Sequence, residues 1–145
     1  MALTDDYFMR QALAEAEKAL AAQEIPIGAV VVFGQQVIGR GHNQTEQLRD
    51  VTAHAEMLAL TAAANYLGNK YLADCTLYVT VEPCVMCAGA SYWAQLRAVV
   101  FGADEPKVGF RRHGALLHPR TQLRGGVLAE PCAALMREFF KLKRK

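Results

Sequence analysis

Apolar residues recur at helical spacing near the start of the chain. They repeat every three or four residues, the period at which side chains share one face of a helix, at Met9, Leu13, Ala16 and Leu20. Thr4 stands before this stripe and is followed by two aspartates, and a threonine with acidic residues behind it favours the start of a helix. The pattern therefore predicts a helix from Thr4 to about Ala22.

β-Branched runs predict strands farther along the chain. A dense run over 27–33, a short polar turn and a second run over 37–39 predict an antiparallel hairpin. Two more apolar runs, over 76–81 and 98–101, predict buried strands. The residues around 125–128 predict a last short strand that leads into the final helix.

Helical patterns separate these strands. We predict helices from Ala53 to about Gly68, from Cys84 to Gln95 and from Glu130 to about Lys141, with loops over 41–51 and 104–124. Strands that alternate with helices predict an α/β fold in which helices cover both faces of a mixed sheet. Because the strands over 76–81 and 98–101 flank a helix, they should run parallel to each other.

The overall composition is that of a globular protein, with 145 residues of which 52% are hydrophobic and 21% charged. A chain of this length is expected to form a single domain, residues 1–145, with a sizeable core. The longest stretch without a charged residue, 25–39, is too short and too interrupted by proline and glycine to cross a bilayer. The start of the chain is acidic where a signal peptide would be basic and then apolar, so we expect a cytoplasmic protein without membrane contact.

The net charge of +2 conceals a strong asymmetry along the chain. Residues 1–106 hold six Lys or Arg and twelve Asp or Glu, whereas residues 107–145 hold ten Lys or Arg and two Glu. A basic final quarter on an acidic body indicates a surface that binds a polyanion. The alternative is a solvated helix end, since cations are favoured near the C-terminus of a helix.

Four residues in two short motifs carry the candidate chemistry. His54 and Glu56 form an H-x-E motif, and Cys84 and Cys87 follow Pro83 in a P-C-x-x-C motif. One imidazole and two thiolates can bind zinc and leave its fourth position open for water, while Glu56 is near enough to move protons. Pro83 suits the first turn of a helix, and the positive end of that helix favours thiolates.

Cys84 and Cys87 also have a simpler interpretation, as a redox-active pair or as two buried cysteines. A single C-x-x-C motif does not separate metal binding from these alternatives. The H-x-E motif upstream and the proline before Cys84 favour zinc. The other two cysteines, Cys75 and Cys132, lie in apolar runs and are predicted to be small buried side chains.

The two motifs together form the signature of the zinc deaminases. The flanking residues extend the match, and they resemble the bacterial tRNA-specific adenosine deaminase family over Asp50–Met57, Thr76–Ala90, Val99–Ala103, Ile25–Val30 and Gly126–Glu130, with Phe139 and Phe140. The resemblance covers nearly the whole chain. It implies a cytidine deaminase-like fold, a three-layer α/β/α arrangement with a five-stranded mixed sheet.

The resemblance also implies roles for individual residues. His54, Cys84 and Cys87 would bind one Zn²⁺, and Glu56 would be the catalytic acid and base. Hydroxide formed at the metal would attack C6 of adenine while Glu56 passes a proton to N1, so that ammonia leaves and inosine remains. The implied substrate-binding residues are Asn43, Ile27 and the backbone of Ala55; the alternative for Asn43 is a turn residue that satisfies its own backbone.

The implied partner is the anticodon stem-loop of a tRNA, whose wobble adenosine must be splayed into the pocket. The basic final quarter would contact its phosphates through Arg111, Arg112, Lys141, Lys143, Arg144 and Lys145. Members of the family act as homodimers, so we expect a homodimer here.

One segment departs from the family pattern. Typical members carry a run of small residues after a Pro-Lys-x-Gly corner, whereas here Gly109 is followed by Phe110-Arg111-Arg112-His113 and the loop is shorter. The segment is expected near the substrate, so the departure concerns nucleotide contact and leaves the metal ligands untouched.

Two other functions remain open at this point. A deaminase of a free base or nucleoside, of guanine or cytosine type, would need the same zinc and glutamate but no polyanion surface. A zinc-fold protein that only binds RNA would have no use for Glu56. Two sets of residues are expected to lie outside the metal site, namely the loop histidines His42, His113 and His118 and the core or interface aromatics Tyr92 and Trp93.

Overall fold

The computed structural model describes residues 2–143. Its elements follow in the order α1 (Asp5–Ala21), β1 (Gly28–Phe33), β2 (Gln36–His42), α2 (Ala55–Leu67), β3 (Cys75–Val81), α3 (Val85–Ala94), β4 (Ala98–Ala103), a single 3₁₀ turn (Phe110–His113), β5 (Gln122–Arg124) and α4 (Ala129–Lys143). Thr4 begins α1 as predicted, because its hydroxyl accepts a hydrogen bond from the backbone N–H of Tyr7.

The five strands form one mixed sheet in the order β2-β1-β3-β4-β5. β1 runs antiparallel to both β2 and β3, whereas β3, β4 and β5 are parallel to one another. The carboxyl ends of the parallel strands therefore share one edge with the start of β1 and the end of β2. The chain leaves or enters the sheet at this edge next to Ile27, Asn43, Glu82 and Asp104, and the candidate site lies there.

Helices cover both faces of the sheet, which confirms the predicted three-layer fold. On one face, α2 packs Ala59 and Leu60 against Val31 and Leu77. On the other, α1 packs Met9 against Val30 of the same strand, together with Cys132 of α4. Successive residues of β1 thus enter opposite cores, as the period of a strand requires.

Gly41 allows α2 to lie unusually close to the sheet. A Cβ at this position would fall 2.4 Å from the backbone oxygen of Ala55 and 2.9 Å from the backbone nitrogen of Ala59, distances that no side chain tolerates. The close approach fixes the start of α2, and with it His54, against the end of β2.

Several element boundaries differ from the sequence prediction by a few residues, and three of them show how the fold sets them. β2 continues through Gly41 to His42, because Gly28 of β1 pairs with His42 and extends the ladder into the predicted loop. β4 continues through Gly102. The Cys132 sulfur lies so close to Gly102 that no side chain would fit there. The helix predicted from Cys84 begins at Val85, with Cys84 as the residue before it.

The last predicted strand is wrong. Residues 125–128 form no strand, and β5 lies earlier, at Gln122–Arg124, where it pairs in parallel with β4. Gly125 lies against the ring of Phe101 and Gly126 has a φ of 82°, so the chain turns toward α4 at this point. No helix within residues 2–143 combines the length and the apolar character needed to cross a membrane.

Candidate active site

His54 and the two motif cysteines meet at the starts of two helices. His54 is the residue before α2 and Cys84 the residue before α3; both have extended backbones, and Cys87 lies in the first turn of α3. Pro83, which we expected inside that turn, lies outside it, and its carbonyl accepts a hydrogen bond from the Phe110 N–H. The positive ends of two helices therefore point toward the thiols, which favours the thiolate forms.

The spacing of the three side chains fits a zinc ion. The His54 Nδ1 atom lies 3.6 Å from Cys84 Sγ and 3.5 Å from Cys87 Sγ, and the three candidate ligand atoms all lie within 4.8 Å of one another. Ordinary Zn–N and Zn–S bond lengths in a tetrahedral site separate a nitrogen and a sulfur ligand by about 3.5 Å. The set therefore suits one tetrahedral zinc with a fourth position open.

The electrostatics of the three side chains are tightly linked. The hydrogen bond from the Cys87 thiol, followed by that from His54, lowers the pKa of Cys84 to about 4. The same bond raises the pKa of Cys87, and the hydrogen bond with Cys84 raises the pKa of His54. One thiolate is thus present at neutral pH, and a bound cation would displace the proton that Cys87 retains.

Glu56 stands beside this triad in the first turn of α2, with only 4% of its surface exposed. Burial, reinforced by the nearby Cys84 charge, raises the pKa of Glu56 to about 7 despite a hydrogen bond from its own backbone. A carboxyl group that titrates near neutrality is suited to accept a proton and then return it. The described geometry thus brings all four motif residues together.

A cavity of about 520 Å³ opens over these residues. The three residues expected to contact substrate, Asn43, Ile27 and Ala55, all line it together with His54 and Glu56. Asn43 is buried and its backbone N–H donates to the Ile27 carbonyl, which holds the two residues side by side. The cavity is mostly apolar with a few polar groups at its base, as small-molecule sites usually are.

Sequence reasoning missed two parts of the cavity wall. One is the segment of residues 105–108 after β4, which we call the outer wall; the other is formed by Met136 and Phe140 of α4. Met136 and Phe140 are four residues apart and so share a helix face, whereas Phe139 packs into the core. That second apolar stripe in the last helix is the signal that could have found them.

The expected phosphate-binding cations are not equivalent in the structure. The Arg111 guanidinium lies between Glu82 and Asp104, and that of Arg112 donates to the Lys107 carbonyl at 2.6 Å. Arg111 is therefore engaged within the protein, and its contact with phosphate stays a prediction. Lys141 and Lys143 are exposed on α4, and Arg144 and Lys145 lie outside the described residues.

The remaining candidates fall largely where they were expected. Within residues 2–143, His54, Cys84 and Cys87 are the one group of three that could hold a metal ion, and the other histidines lie outside it. Cys75 and Cys132 are buried, as predicted. Trp93 is 74% exposed, so it is a surface residue and the core alternative for it is wrong.

Comparison with known proteins agrees with this geometry. The family described as cytidine and deoxycytidylate deaminase zinc-binding region matches residues 3–103. A tRNA-specific adenosine deaminase of Streptococcus pyogenes is 44% identical over 96% of this chain and 91% of its own.

Solved structures of deaminases also superpose on this chain. One, from studies of A-to-I editing by tRNA deaminases at the wobble position of transfer RNA, superposes with a TM-score of 0.83 and 39% identity over 89% of this chain and 98% of its own. The guanine deaminase of Nitrosomonas europaea gives a TM-score of 0.81 with 28% identity over 96% of this chain and 85% of its own. This chain belongs to the cytidine and deoxycytidylate deaminase family, and within it to the group of the tRNA-specific adenosine deaminases.

Proposed function

We propose that this protein hydrolytically deaminates adenosine to inosine at the wobble position of a tRNA anticodon. One observation carries the proposal: the His54, Cys84 and Cys87 triangle lies with the buried Glu56 at the base of a cavity of about 520 Å³. Pockets of this size accept a purine base. The tRNA deaminase relatives supply the substrate class.

The residues of the triangle would hold the metal, with His54 bonding through Nδ1, the nitrogen that faces both sulfurs. When bound, zinc would bring the pKa of a coordinated water toward neutrality and polarise it for attack. Glu56 would accept one proton from the attacking water and pass it to the ring nitrogen N1 of adenine. The proton of the new C6 hydroxyl would then pass to the amino group, so that the C6–N bond breaks and ammonia leaves. The raised pKa of Glu56 suits both directions of this transfer.

Asn43, Ile27 and the Ala55 backbone orient the base in this proposal. The Asn43 side chain offers both a hydrogen-bond donor and an acceptor, so it can pair with the polar edge of a purine. Ile27 supplies an apolar surface for the base plane. The target nucleotide must leave its stack to reach these groups. The free-energy cost of unstacking is small in a single-stranded anticodon loop.

The phosphates of the RNA would meet cations at the mouth of the cavity. Lys107 lines the cavity and is exposed. Lys141 follows the cavity residue Phe140, and Lys143 lies one turn beyond Phe140 on α4. Arg144 and Lys145 would continue this basic segment. Such contacts add affinity without reading sequence.

The test is incubation of zinc-loaded protein with anticodon stem-loops and with free adenine, guanine and cytosine. The proposal expects a mass gain of about one dalton, the exchange of an amino group for an oxygen, in a stem-loop that has adenosine at the wobble position. The same stem-loop with guanosine there is the matched control. The similarity to guanine deaminase keeps a free-base activity as the competing function. Faster conversion of guanine than of any stem-loop would establish that function instead.

We also propose that the protein acts as a homodimer. An exposed Trp93 stands beside an apolar groove of about 340 Å³ between α2 and α3, lined by Leu60 and Ala90 among others. An exposed apolar surface of this kind is typical of a subunit contact. Light scattering should give a mass near twice 15.9 kDa, and Trp93→Glu should shift it to the monomer.

The proposed compartment is the cytoplasm, with residues 1–145 acting as one deaminase domain. The site needs Cys84 and Cys87 as free thiols, and both are unpaired in the structure. A reducing compartment keeps them so. Cell fractionation with an antibody to the protein tests the placement.

A further inference from the structure

Arg111 is held by two acidic residues although it stands in the most basic part of the chain. Its guanidinium lies 3.0 Å from a carboxylate oxygen of Glu82 and 2.8 Å from one of Asp104. It also stacks on the ring of Phe101, 4.7 Å from the ring centre. The Glu82 side chain is almost fully buried, whereas that of Asp104 is 72% exposed. The bond to Glu82 is therefore the stronger of the two.

The Glu82 carboxylate also binds both ends of the segment that contains the outer wall. One of its oxygens accepts the backbone N–H of Glu105 at 3.1 Å, and the other accepts the backbone N–H of Arg111 at 3.1 Å. Gly109 passes so close that a Cβ there would lie 2.4 Å from the carboxyl carbon. The chain from Glu105 to Arg111 is thus wrapped around a single buried carboxylate.

The same segment is joined to the turn that carries Cys84. Gly109 forms an isolated antiparallel bridge with Cys84, and the Phe110 N–H donates to the Pro83 carbonyl at 2.9 Å. The Phe110 side chain is buried. Glu82 itself lies two residues before Cys84. The outer wall is consequently fixed in place relative to the metal side of the cavity.

We propose that Arg111, clamped by Glu82, is a positioning residue that holds the outer wall against the Cys84 turn and so determines how tightly substrate is bound. The inference rests on the proposed function, because the substrate is the one that enters this cavity. It assigns Arg111 a role through the wall rather than through contact with RNA. The charge distribution along the sequence instead predicted Arg111 among the phosphate contacts.

The test is Arg111→Met, which removes the guanidinium and keeps the backbone N–H on Glu82. A lysine-specific endoproteinase cuts the peptide bond between Lys107 and Val108, which lies within the outer wall. The rate of this cleavage therefore reports how often the outer wall opens. Loss of charged hydrogen bonds should accelerate this cleavage at least about tenfold. The KM for an anticodon stem-loop should rise about tenfold with kcat within about twofold, since a misplaced wall weakens binding and leaves the reacting groups unchanged. Zinc per chain should not change.

Arg124→Met is the matched control. Arg124 is 43% exposed against 46% for Arg111, and it also binds a carboxylate, that of Asp5, at 2.9 Å. The Arg124→Met variant loses the same charge as Arg111→Met, but Arg124 lies beside α1, away from the outer wall. The control should leave cleavage at Lys107 and the KM unchanged. Glu82→Gln, a second variant that weakens the clamp from its other side, should accelerate the same cleavage.

Other outcomes decide against the clamp. If Arg111 contacts phosphate directly, Arg111→Met leaves the cleavage rate unchanged. It then makes the plot of log affinity against log salt less steep, by about 0.7 in slope. A lower melting temperature with no change in cleavage or KM would mean that Arg111 only stabilises the fold. If the wild type converts no stem-loop, the proposed function fails, and the cleavage rates still support or overturn the clamp.

Discussion

Two buried glutamates line the cavity, and their surroundings differ completely. Glu56, beside the metal triad, has an anionic sulfur near it, and burial raises its pKa to about 7. Burial alone would also raise the pKa of Glu82, but the Arg111 guanidinium and two backbone N–H groups outweigh it and lower that pKa. One carboxyl group is left ready to exchange a proton, and the other is held charged at neutral pH.

The contrast separates a reactive group from a structural one. A carboxylate that is buried without a cation destabilises the fold, and proteins retain such a group where it does chemistry. A carboxylate with a full set of donors contributes stability and shape. The two glutamates of one cavity therefore divide these tasks.

Glu56→Gln should have the largest effect on turnover. Removing a general acid and base lowers kcat by about 10²–10⁴-fold, while the metal ligands are untouched. We expect zinc content at the wild-type level and a stem-loop deamination rate reduced by that factor. Glu17→Gln, an exposed glutamate of α1, is the control and should keep full activity. Loss of zinc in Glu56→Gln would mean that Glu56 supports the metal instead.

The same variant should stabilise the zinc-free protein, by an amount that depends on pH. Glu56 has a folded-state pKa of about 7 against an ordinary value of 4.5. As pH rises from 4.5 to 7 the unfolded chain releases this proton first, so wild-type stability falls across that window and stays lower above it. Glu56→Gln removes this penalty, on the order of 3 kcal/mol at pH 8.

Urea denaturation of zinc-free wild type and variant at pH 8 and pH 4 measures this difference. The variant should be the more stable at pH 8, and the two proteins should be nearly equal at pH 4. Equal stability at pH 8 would show that the Glu56 carboxylate is compensated in the folded protein, and the contrast with Glu82 would disappear.

Glu82→Gln should act in the opposite direction and more weakly. The lowered pKa of Glu82 means that its contribution is fully present above 4.5, the ordinary value, and is lost as pH falls through the folded-state value below it. We expect the variant to be less stable by about 1–3 kcal/mol at pH 7, with a smaller difference at pH 3. A difference that stays constant between these pH values would exclude the charge of Glu82 as its source.

The metal side and the outer wall of the cavity also differ in how well the sequence predicts them. His54, Glu56, Cys84 and Cys87 lie in two short motifs that together match the zinc deaminase signature. That resemblance, rather than spacing along the chain, paired His54 with Cys84 across 30 positions, so the metal side was predictable. The outer wall depends on contacts between residues far apart, such as the bond from Arg111 to Glu82, 29 positions away. A count of charges along the chain contains no information about such pairing.

The misplaced last strand has the same origin. β5 holds only three residues, all exposed, and is defined by its pairing with β4 rather than by an apolar run. The apolar residues Val127 and Leu128, which suggested a strand, pack instead against the core between the sheet and α4. Long apolar runs such as β1 and β3 were predicted correctly, because burial on both faces marks them in the sequence itself.

The smallest expected effect concerns Lys107, the exposed cation of the outer wall. If the wall meets RNA, Lys107→Met should weaken stem-loop binding a few-fold near 0.1 M salt and reduce the slope of log affinity against log salt by about 0.7, the value for one phosphate contact on a single strand. Arg97→Met is the control, since Arg97 is exposed just before β4 at the opposite edge of the sheet. Filter-binding titrations at three salt concentrations measure both slopes. An unchanged slope in Lys107→Met would restrict the outer wall to contact with the base, and the RNA backbone would then have to be bound by α4.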